Sequence, residues 1–222
     1  MFQPHRVHTT TGPPPLASPP ALIAEHSGLV GAWRLTGVCV ASREGAKFWL
    51  RTLPGLVVCG GLTTSVTVTS EVWRLDLGEL PWGRMPSLTH GRFARACCAV
   101  RGGVVVLGGV VEGQEGRYER TASVEILGCD SVLPPLSCDL LAASAAVAID
   151  ESESDEGQVL LLGGRIGHGR PSSVVHKVDL ATGVCTPQPS LLSQHGALDG
   201  CSAARLPDGR IVCVGRCDNY LL

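Results

Sequence analysis

The residues best suited to chemistry in this 222-residue chain are Arg165, His168 and Arg170, three basic side chains set just after the glycine pair Gly163-Gly164. A planar guanidinium donates paired hydrogen bonds, so such a loop can fork onto a carboxylate or a phosphate. The same residues also suit a solvated polar loop with no ligand. The densest charge run, Asp150-Glu151-Ser152-Glu153-Ser154-Asp155-Glu156, has the opposite sign. It reads as a hairpin loop that tolerates insertion, because closing a loop costs little more as it lengthens. Phosphorylation of Ser152 or Ser154 would deepen its charge. His195, Cys201, Cys213 and Cys217 gather in one stretch, but their spacing does not form the two close ligand pairs of a zinc site. No metal is assigned. With only Tyr118 and Tyr220 as tyrosines and no Ser/His/Asp or Cys/His set legible in order, no catalytic residue is assigned either. Gly102-Gly103 and Gly108-Gly109 precede no helix that would present amides to a phosphate. The chain reads as a non-enzyme without a cofactor.

The elements that must position these residues repeat. An apolar strand runs into glycine four times: Leu56 to Gly61, Val104 to Gly109, Val159 to Gly164, and Ile211 to Gly215 with Arg216 after it. The interval is about fifty residues, where a repeat means one supersecondary unit per period. In the first unit Phe48–Leu53 reads as a strand, Pro54-Gly55 as a turn, Leu56–Gly61 as the returning strand, Glu71–Leu77 as a third strand by its alternation, and Arg84-Met85-Pro86 as a short fourth. The second unit begins at Phe93–Val100, turns at Arg101-Gly102-Gly103, and continues through Ser123–Leu127 to Pro134-Pro135. The third runs from Leu140–Ala148 through the acidic segment to Val174–Leu180 and Val184–Pro189. The fourth has Gly200–Ala204, a turn at Pro207-Asp208-Gly209, and the last glycine strand. Leu29–Ala41 has strand composition around Trp33 and reads as one or two outer strands.

Composition agrees with many short strands. There are 28 glycines and 15 prolines, and 44% of residues are apolar, enough for a core. Net charge is −2, so the positive field that phosphate backbones require is missing and no nucleic-acid partner is expected. No stretch approaches the roughly 18 apolar residues of a membrane span. Residues 1–27 read as a disordered Pro/Thr-rich leader. Of ten cysteines, Cys59, Cys97, Cys98 and Cys213 lie in apolar strand runs, where a thiol packs as a small hydrophobe. Reduced cysteine is consistent with a cytoplasmic protein, or a nuclear one.

Gly60-Gly61, then Glu71, Asp76, Trp82, Met85-Pro86 and Arg92 fall in the order of a kelch repeat, which this chain resembles from about Phe48 to Gly215. Later units keep Gly108, Gly109, Gly163, Gly164, Asp179 and Gly215, but Cys185 replaces the tryptophan in the third and the second has none. The resemblance implies an all-β fold of four-stranded antiparallel propeller blades, at about 46–90, 91–138 and 139–195, with a partial blade at 196–222. Three and a half blades make an incomplete or small ring. A fragment of a longer frame, a four-bladed ring completed by Leu29–Ala41, and a ring shared by two chains all remain open.

Kelch propellers place ligand contacts after the glycine pair and around the inter-blade arginine. Carried onto this chain, those positions are Arg165, and Arg92 with Phe93, although Arg92 equally suits a structural residue that caps blade-edge carbonyls. Together with His168, Arg170 and the Gln114, Arg117, Tyr118 loop, they imply a scaffold that binds a protein or peptide partner, of unassigned oligomeric state. On this reading Arg165→Ala weakens binding while leaving the melting temperature nearly unchanged. A substrate or metal pocket at the ring centre and a fragment without independent function are the alternatives.

Overall fold

A computed structural model describes residues 19–52, 55–77, 81–100, 103–127, 132–138, 142–149, 157–166, 169–191 and 197–217. It is mostly β, in several small antiparallel sheets, with two α-helices among the described residues. The chain divides into two compact units, Met1–Leu56 with Arg74–Gly83, and Val57–Trp73 with Arg84–Leu222. Among the described residues, no helix is long and apolar enough to cross a membrane.

The first unit holds the helices, and here the expectation changes. Helix α1 (Pro19–Leu35) covers residues read as leader and as outer strands, and α2 (Val40–Thr52) covers those read as the first strand of the first blade. Pro19 and Pro20 occupy the opening turn, where the absent N–H costs nothing. Cys39 caps α2, its sulfur accepting from the Ser42 N–H at 3.4 Å. Ala24, Ala32, Ala46 and Leu50 are buried together, with Leu35, Trp49 and Leu77 packed against them. Small alanines let helix backbones approach closely, which outweighs the strand composition around Trp33. Residues 1–18 lie outside the described residues.

Three strands rather than four make the first sheet: β1 (Leu56–Leu62), β2 (Val68–Leu75) and β3 (Trp82–Met85), in that order. The short β4 (Arg92–Phe93) precedes the second main sheet. That sheet comprises β5 (Ala96–Val100), β6 (Gly103–Leu107), β9 (Val124–Leu127) and β10 (Val132–Leu133), each beside the next. Between them, β7 (Val110–Glu112) and β8 (Tyr118–Arg120) join β4 in a small three-stranded sheet.

The third main sheet repeats the second: β11 (Ala145–Ala148), β12 (Gln158–Leu162), β15 (Val175–Asp179) and β16 (Cys185–Gln188). Its side hairpin is β13 (Arg165–Ile166) with β14 (Arg170–Pro171). Last come β17 (Leu198–Arg205) and β18 (Ile211–Cys217), a two-stranded sheet. The acidic run at 150–156 lies outside the described residues, but the Ile149 N–H donates to the Gln158 carbonyl at 3.0 Å, so β11 and β12 close a hairpin around it.

Each junction between successive sheets carries its own core. Cys59, Val72, Leu88, Val106 and Leu127 form the first. Val105, Leu107 and Val124 meet Ala146, Val159, Leu161 and Val178 in the second. Ala145, Val147, Leu162 and Val175 meet Cys201, Ala203, Ile211 and Cys213 in the third. The middle sheets are thus buried on both faces, which is why their strands read as unbroken apolar runs. Cys97 departs from its expected burial: it lies on the exposed side of β5, while Cys98 packs inward.

The glycine pairs sit where side chains cannot. Gly60, Gly108 and Gly163 have φ of 58°, 56° and 61°, in the left-handed region that glycine alone enters without strain. A Cβ on Gly164 would lie 2.4 Å from Ser144 Oγ and 2.6 Å from the Ala142 carbonyl oxygen. Gly215 stays in extended strand β18, where Arg216 follows it in place of a second glycine.

Candidate partner-binding loops

The small β4-β7-β8 sheet and its loop gather five of the residues picked from sequence. Gln114 opens a one-turn 3-10 helix (Gln114–Gly116) between β7 and β8, and Arg117 and Tyr118 follow it. Phe93 and Tyr118 meet edge to face, ring centroids 5.3 Å apart and planes at 81°, a favoured aromatic geometry. Tyr118 stays half exposed and its hydroxyl donates to the Val66 carbonyl at 3.2 Å. Arg117, exposed, pairs with exposed Glu115 at 3.6 Å, a contact that solvent screens to little strength.

Arg92 is different. It is fully buried, with Nη1 donating to the Gly108 carbonyl at 3.1 Å and the Ser123 carbonyl at 3.2 Å, and Nη2 paired with Glu125. Burial pushes its pKa down, and the Glu125 carboxylate opposes that shift. A guanidinium so enclosed braces the Gly108 and Ser123 carbonyls. The Glu125 Oε2 also accepts from the Thr89 N–H at 2.8 Å, so one carboxylate holds two segments.

Arg165 and Arg170 share the β13-β14 hairpin. Arg165 Nε donates to Asp199 Oδ1 at 2.8 Å and Nη2 to Oδ2, a two-pronged pair with a buried carboxylate. Arg165 is therefore partly committed to the fold, whereas Arg170 is exposed. His168, the third member of the basic loop, lies outside the described residues, as does His195. Cys201 and Cys213 pack on the third core, and among the described residues no group of three or more His, Cys, Asp or Glu side chains converges.

Of the other marker residues, Asp179 Oδ1 accepts from both Thr182 N–H and Thr182 Oγ1 at 3.0 Å, closing the β15-β16 turn. Asp76 is exposed at the end of β2, and Trp82 is half exposed on β3. Asp199 and Glu125 escaped notice in the sequence because nothing local distinguishes a carboxylate that answers an arginine more than thirty residues away. Also unforeseen is a rung along the first strands: Ala143 N–H donates to the Ala94 carbonyl at 2.7 Å, and Cys201 N–H to the Ala143 carbonyl at 3.2 Å. Ala94, Ala143 and Gly200 all have positive φ, 49°, 56° and 58°.

No protein-family model matches the chain, and no curated protein does. Among solved structures, the one described as "Structure of YjhT" superposes with a TM-score of 0.45 at 16% identity, over 60% of this chain and 41% of that one. The chain thus spans less than half the length of that structure.

Proposed function

We propose that the chain is a run of kelch-type β-propeller blades that binds a protein or peptide partner through the loops after its glycine pairs. The observation that carries this reading is the pairing of two exposed loops with a braced base. Gln114 and Arg117, with Tyr118 at the start of β8, are exposed beside the β4 strand whose Arg92 is buried and braced, and Arg170 is exposed on the hairpin that the Arg165–Asp199 pair fixes. Recognition groups on loops, with rigidity beneath them, are the usual arrangement for binding. Two successive four-stranded meanders, with β11 beside both β5 and β17, support the blade reading.

The test is to capture a partner with the immobilised full-length chain, identify it, and compare its affinity for Tyr118→Ala, Arg117→Ala and Arg170→Ala variants. Tyr118→Ala is expected to weaken binding by about 2 kcal/mol, the scale of an interface aromatic, and each arginine by about 1 kcal/mol. Melting temperatures of the arginine variants should match the parent, because exposed substitutions change stability by under about 0.5 kcal/mol. Unchanged affinity in all three would remove these loops from the interface.

A further inference from the structure

Two cysteines from different sheets meet at the second core. Cys138 follows β10 and Cys185 opens β16, and both pack, half buried, against that core. Their backbones are locked together: the Ser137 N–H donates to the Gly183 carbonyl at 3.0 Å, and the Cys185 N–H donates to Ser137 Oγ at 2.9 Å. Gly183 lies so close to the same segment that a Cβ on it would fall 2.3 Å from the Pro135 carbonyl oxygen. The two side chains are near enough for the Cys138 thiol to hydrogen-bond Cys185, and the Cys185 thiol itself donates to the Gly183 carbonyl at 3.7 Å.

We infer that Cys138 and Cys185 form an oxidation site, which a hydroperoxide converts to a disulfide linking the second main sheet to the third. Cys185 is the attacking sulfur. The hydrogen bond from Cys138 pushes its pKa down to about 6, against burial that raises it, and the thiolate fraction is the one that reacts. It attacks one peroxide oxygen, the O–O bond breaks, and the departing hydroxide takes up a proton to become water, leaving Cys185 as a sulfenic acid. The neighbouring Cys138 sulfur then attacks Cys185 sulfur, the S–O bond breaks, and the second oxygen leaves as water with the Cys138 proton. Two thiols lose two electrons and the peroxide gains them.

The other described thiol pairs are less suited. Cys59 is hydrogen-bonded to Cys97, and Arg95 stands 4.0 Å from its sulfur, but Cys59 is 1% exposed, so a peroxide cannot reach it. In the third core, burial pushes Cys201 up to about 11 and Cys213 up as well, which disfavours the thiolate in both. The proposal is independent of the partner-binding reading.

The experiment treats the reduced full-length protein with hydrogen peroxide at a small molar excess, blocks remaining thiols, and maps cross-linked peptides by fragmentation mass spectrometry without reduction. The expected result is a Cys138–Cys185 link with the loss of two hydrogens, and a melting temperature raised by about 5–10 °C, because the bond closes a loop of about fifty residues in the unfolded chain. Dithiothreitol should reverse both. Either Cys138→Ser or Cys185→Ser should abolish the link, and Cys138→Ser should leave Cys185 trapped as a sulfenic acid that dimedone captures. Peroxide that oxidises Cys185 to the sulfinic acid without a link, or links only other cysteines, would overturn the proposal. Because the mapping is done on the parent chain, a variant that fails to fold does not blunt it.

Discussion

At the scale of single residues, the two arginines that the repeat pattern offered as contacts have different standing, and burial decides which. Arg92 is enclosed with three acceptors, two carbonyls and the Glu125 carboxylate. Arg92→Met keeps the volume but strands all three, and an unpaired buried partner costs about 3–5 kcal/mol. Chemical denaturation should show that loss, with Arg92→Lys recovering only part of it, since an ammonium cannot reproduce the fork. A loss under about 1 kcal/mol for Arg92→Met would mean the brace is idle. Arg165→Ala was expected to spare stability. The bidentate pair with buried Asp199 reverses that expectation, and about 2 kcal/mol of destabilisation is anticipated, again read by denaturation. Arg92 and Arg165 were both visible in the sequence. Their partners Glu125 and Asp199 were not, because a charge pair formed across a fold leaves no mark on the spacing of either residue.

At the scale of elements, the glycine-ended strands were legible and the helices were not. Val104–Leu107 and Val159–Leu162 announce themselves because both faces are buried, so every position is apolar. Residues 29–35 carry the same kinds of side chain yet close α1, whose Ala24 and Ala32 are buried with Ala46 of α2. The glycines also separate two effects that sequence merges. Gly200 has φ of 58° and open space where a Cβ would go, whereas Gly164 has φ of 90° and backbone and side-chain atoms within 3 Å. Gly200→Ala therefore measures the left-handed backbone alone, about 1 kcal/mol. Gly164→Ala adds a collision with Ser144 and Ala142 that must displace strand β11's approach, and should cost at least twice as much by thermal or chemical unfolding. Equal losses at the two sites would mean that the chain yields at Gly164 without resistance.

At the scale of the whole molecule, stability in a stack of sheets depends on how many neighbours each sheet has. The third main sheet packs on the second through Ala146, Val159, Leu161 and Val178, and on β17-β18 through Ala145, Val147, Leu162 and Val175. Among the described residues, the β17-β18 pair packs through one face, with Ala203 and Ile211 inward, while Val212 and Val214 are 45% and 67% exposed. Each sheet adds its own terms and those of its junctions, as in other repeat architectures. Opening β17-β18 breaks one junction, but opening the third sheet breaks two. Native-state hydrogen exchange should therefore show amides of β12 and β15 protected about 100-fold or more beyond those of β17 and β18, a gap of ~3 kcal/mol. The apolar sequence of β18 matches that of β12 closely, so this difference is invisible in composition and comes only from what covers each face. Equal protection in the two sheets would mean that the molecule opens as one cooperative body, with the third core no weaker than the second.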